Sequence, residues 1–151
     1  LERNVFGFDP EKHTATLYDN GAVKFDSINI TSLGTVVSAI LTRPDEFQNR
    51  YVYVSDFTIS QNDIFEALLK TTKTTREEWT ITHRTTDELK KEGLEKIGNG
   101  NFVGALDLIF AAVFKAGLGS EFSSTRKLDN EAVGLKRADL MESTRAVIER
   151  K

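Results

Sequence analysis

The sequence predicts an α/β domain with an incomplete sheet, and three observations lead there. First, residues 50–54 (Arg50-Tyr51-Val52-Tyr53-Val54) alternate side-chain type at period two and read as a strand. With both faces apolar or amphipathic, that strand is expected to be covered on both sides. Second, a helix starts sharply after it. Ser60 is the N-cap, Asp63 three residues on completes a capping box, and Ile59 and Ile64 are spaced as a hydrophobic staple. Ile64, Phe65, Leu68 and Leu69 then form a stripe at helical period. Third, a strand followed by a helix recurs three times along the chain, and this succession is the unit of α/β folds.

Taken in order, residues 1–11 read as irregular, with Phe6 and Phe8 flanking Gly7 and packing down by their rings. Phe6 is a candidate wall residue of a ligand pocket. Residues 14–18 and 22–25 are strand-like and separated by Asp19-Asn20-Gly21, which predicts a hairpin closed by residues of positive φ. Residues 27–30 are a short strand candidate. Thr31 can cap a helix over 32–41, whose Leu33, Val36, Val37, Ile40 and Leu41 make an amphipathic stripe. Gly34 inside it suggests the close approach of another backbone. Arg43 precedes Pro44, which ends the helix.

Residues 78–83 read as a further strand with Trp79, Ile81 and His83 on one face. Thr85 and Glu88 form a capping box for a helix stopped by Gly98-Asn99-Gly100. Asn101 is expected to cap the most apolar helix, carrying Phe102, Val103, Leu106, Ile109, Phe110, Val113 and Phe114. So wide an apolar face implies burial on more than one side. Phe110 and Phe114, one turn apart, join Phe6 as candidate pocket-lining residues. Asp107, inside that run, reads as a solvated edge or a partner of a backbone N–H. A polar loop follows, then a last helix over 136–149 with Leu140, Met141, Thr144, Val147 and Ile148 inward.

Composition narrows the function classes. The 151 residues carry a net charge of −3, against the basic footprint of a nucleic-acid binder. No cysteine is present, so disulfide and thiol chemistry are excluded. The longest apolar run, residues 108–114, is too short to span a bilayer. With no secretory signal at Leu1-Glu2-Arg3-Asn4, a cytoplasmic location is the expectation. A chain starting with Leu is expected to be processed or cut from something longer.

The segment from Asn49 to Leu68 (NRYVYVSDFTISQNDIFEAL), with Thr14 to Gly21 upstream and Phe102–Phe114 and Leu135–Ile148 downstream, resembles the NmrA-like and isoflavone-reductase-like family. These are atypical short-chain dehydrogenases, and the likeness is greatest to fungal members. The resemblance covers nearly the whole chain and rests on order and spacing. It implies a Rossmann-like NAD(P)-binding protein of which this chain is the C-terminal part: the last strands plus a smaller helical substrate domain. Residues 1–151 would be one substrate-domain-like α/β region without the N-terminal dinucleotide-binding domain. The implied cofactor is NADP(H) in the parent protein and none for this chain alone. The implied partners are a small-molecule substrate and the missing Rossmann domain. An exposed sheet edge adds self-association. Neither nucleic acid nor membrane is expected.

The motifs fit that partial character. Gly98-Asn99-Gly100-Asn101-Phe102-Val103-Gly104 has its last glycine one position too late for G-x-G-x-x-G and follows a helix where a strand is required. Tyr18, Tyr51 and Tyr53 lack a lysine four residues on, and there is no G-x-S-x-G elbow. His13 and His83 are far apart, and His83 reads as a packing residue. No catalytic, cofactor-binding or metal-binding residue is therefore assigned. The activity implied by the resemblance is an NADPH-dependent reduction of an aromatic or other small molecule. The family also implies an alternative, a non-catalytic nucleotide-sensing regulator acting through protein contacts.

Overall fold

The computed structural model describes residues 5–149. Residues 1–4 of the stretch expected to be irregular lie outside the described residues. In chain order the elements are β1 (Phe8–Asp9), β2 (Thr14–Tyr18), β3 (Phe25–Ser27), α1 (Ile30–Thr42), α2 (Pro44–Phe47), β4 (Phe57–Ile59), α3 (Gln61–Thr72), β5 (Thr80–Arg84), α4 (Thr86–Gly98), α5 (Gly104–Val113) and α6 (Leu140–Ile148). Strands precede three helices, as β3–α1, β4–α3 and β5–α4, but β3 ends at Ser27 where a strand over 27–30 was expected, and the strand before α3 is Phe57–Ile59 in place of residues 50–54. Together they make an α/β fold with a mixed, incomplete sheet. β1 and β2 are antiparallel and β2 and β5 parallel, in the order β1-β2-β5, while β3 pairs antiparallel with β4 in a second sheet.

The helix ends follow local chemistry. Ser60 Oγ accepts from the Asp63 N–H at 3.2 Å, and the Asp63 carboxylate takes the Ser60 N–H at 2.8 Å. Thr85 and Glu88 repeat the arrangement at α4. α1 stops before Pro44, and α2 restarts with that proline in its first turn. Beneath these helices the main core gathers Phe8, Leu17, Phe65, Leu68, Trp79 and Phe114, all buried.

Several expectations are corrected. The predicted hairpin does not form. Asp19, Asn20 and Gly21 do adopt positive φ (45°, 68° and 67°), but β2 is flanked by β1 and β5, so β3 leaves to pair with β4. The Asp19 carboxylate instead accepts the Thr86 N–H and hydroxyl at the start of α4, where a negative charge complements the helix dipole. α1 begins at Ile30, ahead of the predicted start and with Asn29 at the N-cap position, its N–H bonded to Asp56 Oδ2 at 2.8 Å. No atom approaches within 4 Å of where a Cβ on Gly34 would stand. α6 begins at Leu140, because the Asp139 carboxylate caps it by accepting the Glu142 N–H at 2.9 Å. His83, read as a packing residue, is exposed, although Ile81 on the same face of β5 is half-buried.

The Tyr51–Val54 stretch forms no ladder, although its side chains alternate as read. Val52 and Val54 pack against Val36, Phe47 and Val133, while the Tyr53 ring lies 5.6 Å from that of Phe122. Tyr51 is 84% exposed, so coverage on both sides does not hold. A loop takes the place of a neighbouring strand on one side. Asp129 accepts the Tyr53 N–H at 2.9 Å and returns its own N–H to the Tyr53 carbonyl at 2.6 Å. The Asn130 side chain accepts the Ser55 N–H at 3.0 Å and donates to the Ser55 carbonyl at 2.7 Å.

Burial pushes the Asp129 carboxyl up, but the Tyr53 N–H and the Arg50 guanidinium, 2.9 Å away, outweigh this and hold it below its ordinary 3.8. A depressed folded pKa gives stability that is present above the unfolded value and lost as pH falls through the folded one. Asp129→Asn should therefore flatten the acid limb of thermal midpoint against pH below 3.8. An unchanged acid limb would show that the Asp129 contacts carry no linkage.

α4 and α5 form a tight helical hairpin. A Cβ on Gly104 would meet the Gly93 carbonyl oxygen at 2.3 Å, and one on Gly93 would meet the Gly104 carbonyl oxygen at 2.8 Å. α5 starts at Gly104, with Val103 at the N-cap position in place of the expected Asn101, whose Oδ1 accepts the Val103 N–H at 3.1 Å. Asp107 is neither at a solvated edge nor on a backbone N–H. It pairs with Lys96 across the hairpin at 2.6 Å, and that bond holds the lysine above its ordinary value. The face expected to be buried on more than one side is open, with Phe102 83% exposed and Val103, Leu106 and Ile109 more than half exposed.

Candidate functional site

A cleft of about 530 Å³ opens between the start of α1, the β3–β4 pair, α3 and α6. β3 supplies Ser27, and Ile28 and Asn29 follow as the chain turns into α1, whose first residue Ile30 also lines it. Phe57 and Ile59 come from β4 and Ile64 from α3. α6 closes the far side with Leu140, Ser143, Thr144 and Val147, and Phe6 adds an aromatic wall. The lining is mainly apolar, with a few polar groups able to orient a ligand, which is the usual make-up of a small-molecule site.

The polar groups converge near Asn29, whose side-chain amide donates to Ser143 Oγ at 3.0 Å. Its backbone N–H is held by Asp56, a buried residue whose other carboxylate oxygen has no hydrogen-bond partner among the described residues. This anchor fixes the entry of α1 and, with it, one rim of the cleft.

Of the sequence candidates, Phe6 lines the cleft directly, whereas Phe110 and Phe114 stand behind it. All three belong to one ring cluster. Phe6 lies 5.8 Å from Phe110, 6.4 Å from Phe114 and 5.5 Å from Phe25, and Phe110 and Phe114 stack at 5.9 Å. Tyr18 stacks on Phe114 at 5.5 Å, and burial raises its phenol above the ordinary value, which makes it a poor acid at neutral pH. Sequence reading missed Asn29, Ser143 and Ile28. Thr144 and Val147 were already on the inward face of the last helix, so Ser143 beside them was within reach of that pattern. The pairing of Asn29 with Ser143 was not.

Phe6 is held through its backbone. The buried Gln61 side chain donates to the Phe6 carbonyl at 2.7 Å and the Thr16 carbonyl at 3.0 Å, and accepts the Tyr18 N–H at 2.8 Å. Gly7, at φ +91°, fits only without a Cβ, which would stand 2.3 Å from the Thr16 carbonyl oxygen. Gln61→Leu leaves these groups unpaired and should cost about 1–3 kcal/mol. Thermal unfolding would measure it, and a loss well under 1 kcal/mol would mean that water replaces the amide.

Among the described residues no group of three His, Cys, Asp or Glu side chains could hold a metal ion. No helix among them is long and apolar enough to cross a membrane.

No family model and no solved structure matches the chain. Curated relatives do. Over 132 residues the chain is 27% identical to Oxidoreductase aprR of Aspergillus flavus, covering 87% of this chain and 43% of that protein. Over 113 residues it is 29% identical to Oxidoreductase poxI of Penicillium oxalicum, covering 75% of this chain and 35% of that protein. The chain is thus a distant homologue of fungal oxidoreductases and spans less than half the length of these relatives.

Proposed function

We propose that this chain is the C-terminal, substrate-binding part of an NmrA-like NAD(P)H-dependent reductase acting on an aromatic or comparably apolar small molecule. The observation that carries this reading is the mainly apolar cleft walled by Phe6, with Asn29 and Ser143 as its polar pair. Homology to fungal oxidoreductases over less than half their length supports it. The chain's own residues do not fit a nucleotide cradle. Gly104, the one candidate phosphate glycine that opens a helix, is pressed against the Gly93 backbone. NADP(H) would belong to the remainder of the parent protein, and no step of hydride transfer is assigned to a side chain here. What these residues do is bind and orient: the rings exclude water, and the Asn29 amide and Ser143 hydroxyl meet a substrate oxygen.

The test is NADPH oxidation by the full-length parent against a panel of aromatic enones. Turnover is expected, and Ile28→Trp, which narrows the cleft beside Asn29, should raise KM several-fold with a smaller change in kcat. NADPH binding with no turnover across the panel would favour the nucleotide-sensing regulator instead.

A further inference from the structure

A second cavity, of about 400 Å³, lies where the loop after α5 meets the residues just ahead of β3. It shares no lining residue with the cleft walled by Phe6. Its loop is clamped to β3. Asp26 donates its N–H to the Ser120 carbonyl at 2.9 Å, and its carboxylate accepts the Ser123 N–H at 2.7 Å and the Ser123 hydroxyl at 2.9 Å. The clamp brings the loop to Lys24, whose carbonyl takes the Ser120 hydroxyl at 3.4 Å. Gly117 and Gly119 line the cavity too and, lacking side chains, line it with backbone. Both hold positive φ (81° and 83°), which other residues resist.

The donors and charges of this cavity are unused. Among the described residues, the N–H groups from Gly117 to Glu121 meet no backbone acceptor. Successive backbone N–H groups in a turn of this kind make a concavity that takes an anionic oxygen. Lys24 lines the same cavity with no carboxylate paired to it, and Glu121 lines it with no cation, among the described residues. Their backbones come together at Ser120, yet no ion pair joins them. A bare anion in this cavity would be opposed by Glu121, and a bare cation by Lys24. A ligand that carries both charges meets a partner at each. Val23 and Ala116 add apolar wall for a side chain.

We propose that this cavity binds a free α-amino acid as its zwitterion. The carboxylate sits on the Gly117–Gly119 backbone and the Lys24 ammonium, and the ligand's own ammonium sits on the Glu121 carboxylate. Each of these is a charge-assisted hydrogen bond, the stronger kind. The site goes beyond the reductase reading and does not depend on it, since the two cavities have no residue in common.

The experiment is an NMR titration of the full-length protein, isotopically labelled at glycine, with L-leucine, leucinamide and N-acetylleucine at matched ionic strength. L-Leucine is expected to move the Gly117 and Gly119 amides saturably. The other two each lack one of the charges and should bind about tenfold or more weaker. Lys24→Gln should weaken L-leucine and leave leucinamide unchanged, whereas Glu121→Gln should weaken L-leucine and leave N-acetylleucine unchanged. Amides that stay still, or that shift in proportion to concentration without saturating, would overturn the site. Either single-charge analogue binding as tightly as L-leucine would overturn the zwitterion, as would L-leucine affinity unmoved by both substitutions.

Discussion

Phe114→Ala is expected to cost about 3–5 kcal/mol of stability, the usual loss for a phenylalanine removed from a closed core. The ring is 1% exposed and meets Phe6, Tyr18, Phe25 and Phe110, all with centroids within 6.4 Å. Those neighbours come from separate elements, so they cannot all move inward to fill the space. At about 2–4 °C per kcal/mol for a chain of this size, the thermal midpoint should fall by roughly 10 °C. Phe110→Ala separates the roles of the two rings. Phe110 is half-buried, so its loss should cost less stability than that of Phe114. If Phe110 contributes to the pocket, substrate use in the parent falls while the midpoint stays nearly intact. A cost for Phe110→Ala as large as for Phe114→Ala would remove Phe110 from the site.

The second large effect is expected at the α4–α5 crossing. Gly104→Val puts branched carbon where the Gly93 carbonyl oxygen would be 2.3 Å from Cβ, with Lys96 Cβ at 2.8 Å. Neither neighbour is the free end of a flexible side chain, so the helices must separate. Overpacking of this kind costs typically about 1–3 kcal/mol and at times more. Separation should also break the Lys96–Asp107 bridge. The check is a thermal melt beside Gly34→Ala, where open space predicts no loss. Equal midpoints for the two variants would show that the crossing is loose.

What could be read from the sequence was what neighbouring residues decide among themselves. Ser60 with Asp63 and Thr85 with Glu88 are three apart, so their reciprocal bonds follow from local geometry. Pro44 ended α1 by its own sterics. The alternation at Tyr51–Val54 was right because side-chain direction in an extended chain is local too. Partner choice is not local. Nothing around Tyr18 says that its strand pairs with Thr80–Arg84 rather than with the stretch after Asn20-Gly21. The cleft suffered likewise: Asn29 and Ser143 have no feature that points to each other until α6 is laid across the entry of α1. The aromatic cluster was partly visible, since Phe110 and Phe114 share a helix face. The part played by Gln61 in fixing Phe6 was hidden in a polar residue of the first helical turn.

The parallel register of β2 with β5, Thr14 beside Thr80 and Tyr18 beside Arg84, also sets an order of events. On the ribosome β2 emerges before β5 and must wait, unpaired on that side, until Arg84 has left the exit tunnel. Meanwhile α1 and α3 lie between the two strands in sequence, and closing so long a loop carries an entropic cost that local helices do not bear. The α4–α5 crossing joins two helices adjacent in sequence and has no such delay. Nascent chains therefore pass through a period in which β2 depends on residues not yet synthesised.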